Sequence, residues 1–216
     1  MARVVQSEDV RSRVLDAARL LFIEKGYEAA TIRQISVMSG VSSGSIYHFF
    51  ADKEGVFLHL TLHFFEDAMR AAEERTARQK DPYLSLALKW AYLMRLISSD
   101  KRVAELFSVA YRSWKISKEL MRAATLRHQL VLSATLTDWD DERFFVATLL
   151  LGGVLSALVD ERVNLDSLTE EKRIRALLST ALPAFGAEAD QVQRLTMRAL
   201  KLLPAIATHA SDFGAA

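Results

Sequence analysis

Only 8 Gly and 3 Pro interrupt the 216 residues, and almost every stretch between them repeats apolar residues at steps of three and four. That spacing lays an apolar stripe along a helix, whereas a strand needs alternation, so the expected fold class is all-α. The stripe Val10, Val14, Leu15, Ala18, Leu21 and Phe22 predicts a first helix over about 7–25, with Ser7 as its cap and Gly26 after its end. Thr31 caps a brief second helix that Gly40 ends, and Ser42 caps a third, SSGSIYHFF. Ala51 and Asp52 open a long fourth helix that carries Val56, Phe57, Leu60, Phe64 and Met69 toward a break at Lys80, Asp81 and Pro82. Six more helices are expected at about 83–98, 101–113, 115–137, 140–163, 169–186 and 188–209, with Pro183 late in its helix.

Half of the residues are hydrophobic, enough for a sizeable core. With 28 Lys plus Arg against 27 Asp plus Glu, the net charge is +1, so no global positive field announces nucleic acid and local chemistry must carry any such reading. The chain has no Cys, which excludes disulfides and thiol chemistry and suits a reducing cytoplasm, the expected location. The opening MARVVQSEDVRSRV has no apolar core for a signal peptide. The longest uncharged run, 144–159, falls short of the roughly 20 residues that span a bilayer, so it is expected to be a buried helix, with no membrane partner.

The function is concentrated between about Thr31 and Phe50. Two short helices joined at Gly40 pack at a steep angle when small or apolar residues stand at Ile35, Ser36, Val41, Ile46 and Phe49, the pattern of a helix-turn-helix. Residues 39–51 contain no Asp or Glu, and Ser42, Ser43, Ser45, Tyr47 and His48 offer donors to phosphates and to base edges in a major groove. Gly44 allows close approach to a DNA backbone at a helix N-terminus, where free N–H groups favour an anion. Lys53 supplies a further phosphate contact, and Thr31 and Arg33 of the second helix complete the set. A Gly-broken helix pair can also be plain scaffold; the ordered spacing of Gly40, Gly44, Tyr47, Phe50 and Lys53 argues for the DNA reader.

The segment TIRQISVMSGVSSGSIYHFFADKEGVF resembles the DNA-binding signature of the tetracycline-repressor (TetR) family of bacterial regulators, the likeness running over about 10–58. By that resemblance the family's helix-two Thr is Thr31, its turn is Gly40, Val41 and Ser42, and its recognition-helix Gly and Tyr are Gly44 and Tyr47. Its following Phe is Phe50 and its phosphate-binding Lys is Lys53. Ser36 and Ser39 stand where the family usually has Ala, a departure expected to keep the helix crossing and loosen its packing a little. The resemblance implies a helix-turn-helix domain over 1–53, a larger helical ligand-binding and dimerisation domain over 54–210, and a disordered tail at 211–216. It also implies a repressor that binds double-stranded DNA, as a homodimer at a palindromic operator, and answers to a small-molecule effector.

Beyond the fourth helix, Tyr83, Trp90, Tyr92, Met94, Phe107, Tyr111, Trp114 and Met121 could line an apolar cavity, with Arg95, Arg112 and His128 at a polar end. Trp90, Met94, Phe107, Tyr111, Trp114 and His128 are the candidate ligand contacts, which would suit a lipophilic or aromatic effector; ordinary core is the alternative. Small residues bring helices close, so Phe145, Leu149, Gly152, Gly153 and Ser156, with Leu178 and Leu182 of the next helix, are candidates for a dimer-forming four-helix bundle. Both helices could instead pack inside one subunit. Dimerisation itself follows from the small number of base pairs that one short helix can read.

His59 and His63 are spaced as metal ligands can be, but Leu60 stands where a zinc protease has Glu, and neither metal nor cofactor is expected. The charge run at Glu73, Glu74, Arg75 and Arg78 fits a solvated helix face. An enzyme is not expected, for the sequence offers no nucleophile beside a base, no paired carboxylates and no phosphate-cradling loop. A DNA-binding architectural or interaction protein without an effector is the alternative.

Overall fold

The breaks in periodicity become helix ends. In the computed structural model, which describes residues 2–76, 80–160 and 168–203, the described residues form ten α-helices. These are α1 (Ala2–Lys25), α2 (Ile32–Ser39), α3 (Ser43–Phe50), α4 (Lys53–Thr76) and α5 (Pro82–Ser98). They continue with α6 (Lys101–Arg112), α7 (Trp114–Leu132), α8 (Asp141–Val159), α9 (Glu170–Ala184) and α10 (Ala189–Leu202). The expected all-α class holds, and most starts are set by side-chain caps: Asp81 and Asp100 each accept two backbone N–H bonds, and Ser113, Asp140 and Thr169 accept one each.

Three boundaries differ from expectation. α1 starts at Ala2, so Ser7 lies within it and is not its cap. α7 stops at Leu132, where Ser133 and Leu136 turn the chain by bonding the carbonyls of Gln129 and Leu132. α8 ends at Val159. The expected extensions to 163 and 209, the tail at 211–216 and Arg78 lie outside the described residues.

α5 is apolar nearly all round, and such a helix belongs inside a bundle. It packs against α4, α6, α7, α8, α9 and α10 and buries Leu84, Leu88, Trp90, Leu93 and Met94 among others. Its one buried charge, Lys89, is tolerated because its ammonium meets Glu73 Oε1 of α4 at 2.8 Å. Arg127 of α7 reaches the same carboxylate at 2.8 Å and also pairs with Glu66, so the expected solvated face around Glu73 is instead a charged seam joining α4, α5 and α7. α4 touches α1 and α3 on one side and α5, α6 and α7 on the other, and one apolar cluster runs through both regions.

Candidate nucleic-acid interface

The α2–α3 unit is built from local signals. Thr31 accepts from the Gln34 N–H at 3.3 Å while its own N–H donates to Gln34 Oε1 at 3.0 Å, a reciprocal cap. Gly40 ends α2 at φ 66°, a left-handed geometry that side chains resist, and Ser42 caps α3 through the Ser45 N–H. Ile35 and Ile46 are fully buried, which fixes the crossing of the two helices. Ser36 and Ser39 do not loosen the turn as expected. Ser36 Oγ donates to the Val41 carbonyl at 2.6 Å and Ser39 Oγ accepts from the Val41 N–H at 3.2 Å, so both hydroxyls stitch it. Arg13 of α1 closes the unit by donating to the Ser39 carbonyl at 2.7 Å.

The outer face is open. Thr31, Arg33, Ser42, Gly44 and His48 are exposed, Tyr47 is 52% exposed, and Ser43 and Ser45 are half-buried. A Cβ added at Gly44 would meet nothing closer than Ser42 Oγ at 4.0 Å, so no protein atom demands glycine there. The ammonium of Lys53, the expected phosphate contact, donates to the carbonyls of Tyr27 and Ala30 at 2.9 and 3.0 Å.

Sequence reasoning passed over the corner between α3 and α4. Ala51 takes φ 62°, and the Asp52 N–H bonds back to the Phe50 carbonyl at 2.7 Å, a tight and strained turn. A Cβ at Gly55 would stand 1.9 Å from that same carbonyl oxygen, so only glycine lets α4 start this close to α3. A glycine one turn into a long helix, in the order Ala-Asp-Lys-Glu-Gly, was the available signal.

The candidate ligand residues separate. Trp90, Met94, Phe107 and His128 are buried together in the core, Tyr111 is partly exposed, and Trp114 is 78% exposed at the start of α7, away from them. Trp90 Nε1–H donates to His128 Nε2 at 2.9 Å, and His128 Nδ1 stands 2.7 Å from Thr148 Oγ1, which donates to the Phe144 carbonyl. These partners require the neutral imidazole protonated at Nδ1. Burial, assisted by the Lys89 charge, pushes its pKa down to about 3. Arg95 is committed to Glu170 and the Leu203 carbonyl, whereas Arg112 is exposed in a cleft of about 290 Å³ beside Tyr27. His59 packs edge-on to Phe50 and lies 3.2 Å from an Arg11 nitrogen.

The candidate dimer residues separate too. α8 is not wholly buried: Phe144, Leu151 and Leu155 face the core, while Phe145, Val146, Leu149 and Leu150 form an exposed apolar face with Gly153. Ser156 is half-buried. Gly152, Leu178 and Leu182 are corrected to interior positions, for a Cβ at Gly152 would strike Met121 Sδ at 2.5 Å and both leucines are buried within the protomer.

A capped helix-turn-helix with an acid-free outer face is the arrangement of a DNA-reading unit, and the comparisons find the same kind of region. Residues 14–60 match the profile of bacterial regulatory proteins of the tetR family. The HTH-type transcriptional repressor AcnR of Corynebacterium glutamicum is 48% identical over 63 residues, 29% of this chain and 32% of AcnR. The chain therefore spans about a third of the length of the curated relatives it matches first. The likeness to RolR in complex with resorcinol covers 94% of this chain and 100% of that one at TM-score 0.75 and 22% identity. The SmeT–triclosan complex is similar over 81% and 90% of the two chains at TM-score 0.57 and 20% identity. At these identities the two structures speak for the fold. The likeness to the TetR family of bacterial regulators in sequence thus lies in the DNA-binding region, residues 14–60.

Proposed function

We propose that the protein is a ligand-responsive, cytoplasmic transcriptional repressor, not an enzyme, that binds a palindromic operator as a homodimer and is released by a small effector. The observation that carries this reading is the α2–α3 face, free of acids, with Tyr47 projecting and Gly44 open, on a rigid buried base. Tyr47, His48, Ser43 and Ser45 of α3 approach base edges and phosphates, while Thr31, Arg33 and Ser42 lie along the backbone. Residues 1–53 form the reading domain and 54–210 the sensing and dimerisation domain. α3 is eight residues, about 12 Å long, so two copies across a two-fold axis are needed for a site of useful length.

The sensing reading is supported by the buried aromatic set around Trp90 and Phe107, which offers an apolar lining with one polar pair, Trp90 and His128, and suits a lipophilic or aromatic effector. RolR and SmeT, similar in fold, are known with resorcinol and triclosan. An effector among α5–α8 acts by preferring one setting of α4, and so one separation of the paired α3 helices.

Selection of bound fragments from a random duplex pool tests this. Enrichment of a near-palindrome, bound tightly by wild type and weakly by Tyr47→Ala, is the expected result. No enrichment, or binding indifferent to that substitution, would remove the DNA-reading function.

A further inference from the structure

We propose that the cleft between the α1–α2 loop and α6 binds a small organic carboxylate, at a site separate from the aromatic set around Trp90; its regulatory consequence rests on the DNA-binding reading above. The cleft holds about 290 Å³, at the low end of the about 300–1,000 Å³ usual for small-molecule sites. Ser108 lines it although only 4% exposed. Thr61, Thr125 and Thr148, also buried in their helices, each donate to the carbonyl four residues back. Ser108 makes no hydrogen bond among the described residues, so its hydroxyl is left to whatever enters the cleft.

The surrounding charges select the ligand. Lys25, Arg102 and Arg112 line the cleft with Glu28 and Glu105, three cations against two carboxylates, an excess of one positive charge. Arg102 is paired with Glu105, and Gly26, at φ 81°, gives that guanidinium room: a Cβ there would stand 3.3 Å from its nitrogen. Arg112 is exposed and makes no ion pair among the described residues, and its planar fork matches a carboxylate. One excess charge suits a monoanion better than a phosphate ester, which carries about −1.5 to −2. Leu106, Val109 and the Tyr27 side chain give the ligand's body an apolar wall. An occupant touches α6 on one side and, on the other, the loop that ends at Thr31, the cap of α2, so it bears on the setting of the reading unit.

Calorimetry on the full-length protein, without DNA, tests the site with benzoate as probe. Benzoate is expected to saturate wild type with a dissociation constant on the order of 1 mM, and neutral benzamide of the same shape to bind about tenfold more weakly or worse. Arg112→Gln is expected to weaken benzoate about tenfold or more and Ser108→Ala about threefold or more, both at wild-type melting temperature. No saturation, equal binding of benzamide, or full affinity in Arg112→Gln would overturn the site. Operator affinity is then compared in sodium benzoate and in sodium chloride of equal ionic strength, because salt alone weakens DNA binding. A change of about threefold or more in wild type, absent in Arg112→Gln, is expected; benzoate bound without any change would overturn the link to the reading unit. Failure of wild type to prefer any duplex would remove the DNA-reading function and that link with it, while the calorimetry still decides the site.

Discussion

Two glycines eleven positions apart in the chain, Gly44 and Gly55, separate binding from folding at the scale of single residues. Gly44 has open space where a side chain would go, while Gly55 has the Phe50 carbonyl there. Gly44→Ala is therefore expected to leave stability unchanged or raise it by up to about 1 kcal/mol, through better helix propensity, while weakening operator binding. Thermal melting and operator titration of the same sample check both halves. Gly55→Ala is expected to cost about 3 kcal/mol, because a methyl group cannot share the carbonyl's volume without moving α4, and a lowered urea midpoint would show it.

At the scale of the element, α8 has two apolar faces with different destinations. Its inner face packs with Leu178 and Leu182 of α9 in the core, whereas Phe145, Leu149 and Gly153 look outward. An exposed apolar face on a core helix fits a surface that a second copy would cover. Leu149→Glu is expected to leave helical content and melting of the protomer near wild type while shifting sedimentation from dimer to monomer. Leu178→Ala is expected to do the reverse in kind, costing about 2–5 kcal/mol of stability by opening a cavity inside the protomer. Equal dimer loss in both variants would count against this division of the two faces.

At the scale of the whole molecule, buried polar groups make stability depend on pH. His128 keeps its neutral form to a pKa of about 3, against 6.5 for the ordinary side chain, so on acidification the unfolded chain takes up the proton first. Its contribution is complete above pH 6.5 and is lost as pH falls from 6.5 toward 3, by up to about 1.4 kcal/mol per pH unit. His59, lowered by burial and by the Arg11 charge, acts in the same direction. Urea midpoints are expected to be level above pH 7 and to fall between pH 6.5 and 5. His128→Gln, which can still accept from Trp90, is expected to flatten most of that fall; an unchanged slope would assign the dependence elsewhere. Burial also pushes the Glu73 carboxyl up, but the Lys89 hydrogen bond and the Lys89 and Arg127 charges outweigh it, so its titration belongs to lower pH.

The sequence by itself determined the helices and the reading unit, because periodicity, caps and the turn at Gly40 depend on residues within one or two turns of each other. Thr31 with Gln34 and Ser42 with Ser45 are bonds over three positions, and such pairs are legible without knowing what else the chain does. Contacts between distant segments were not legible. Lys53 meets carbonyls 23 to 26 positions away, Trp90 meets His128 across 38, and only the arrival of those segments decided that one cation faces a loop and one imidazole stays neutral. The same holds for Trp114, left outside, and for Leu178 and Leu182, taken inside: an apolar stripe states that a face will be covered, and the tertiary structure alone decides by what.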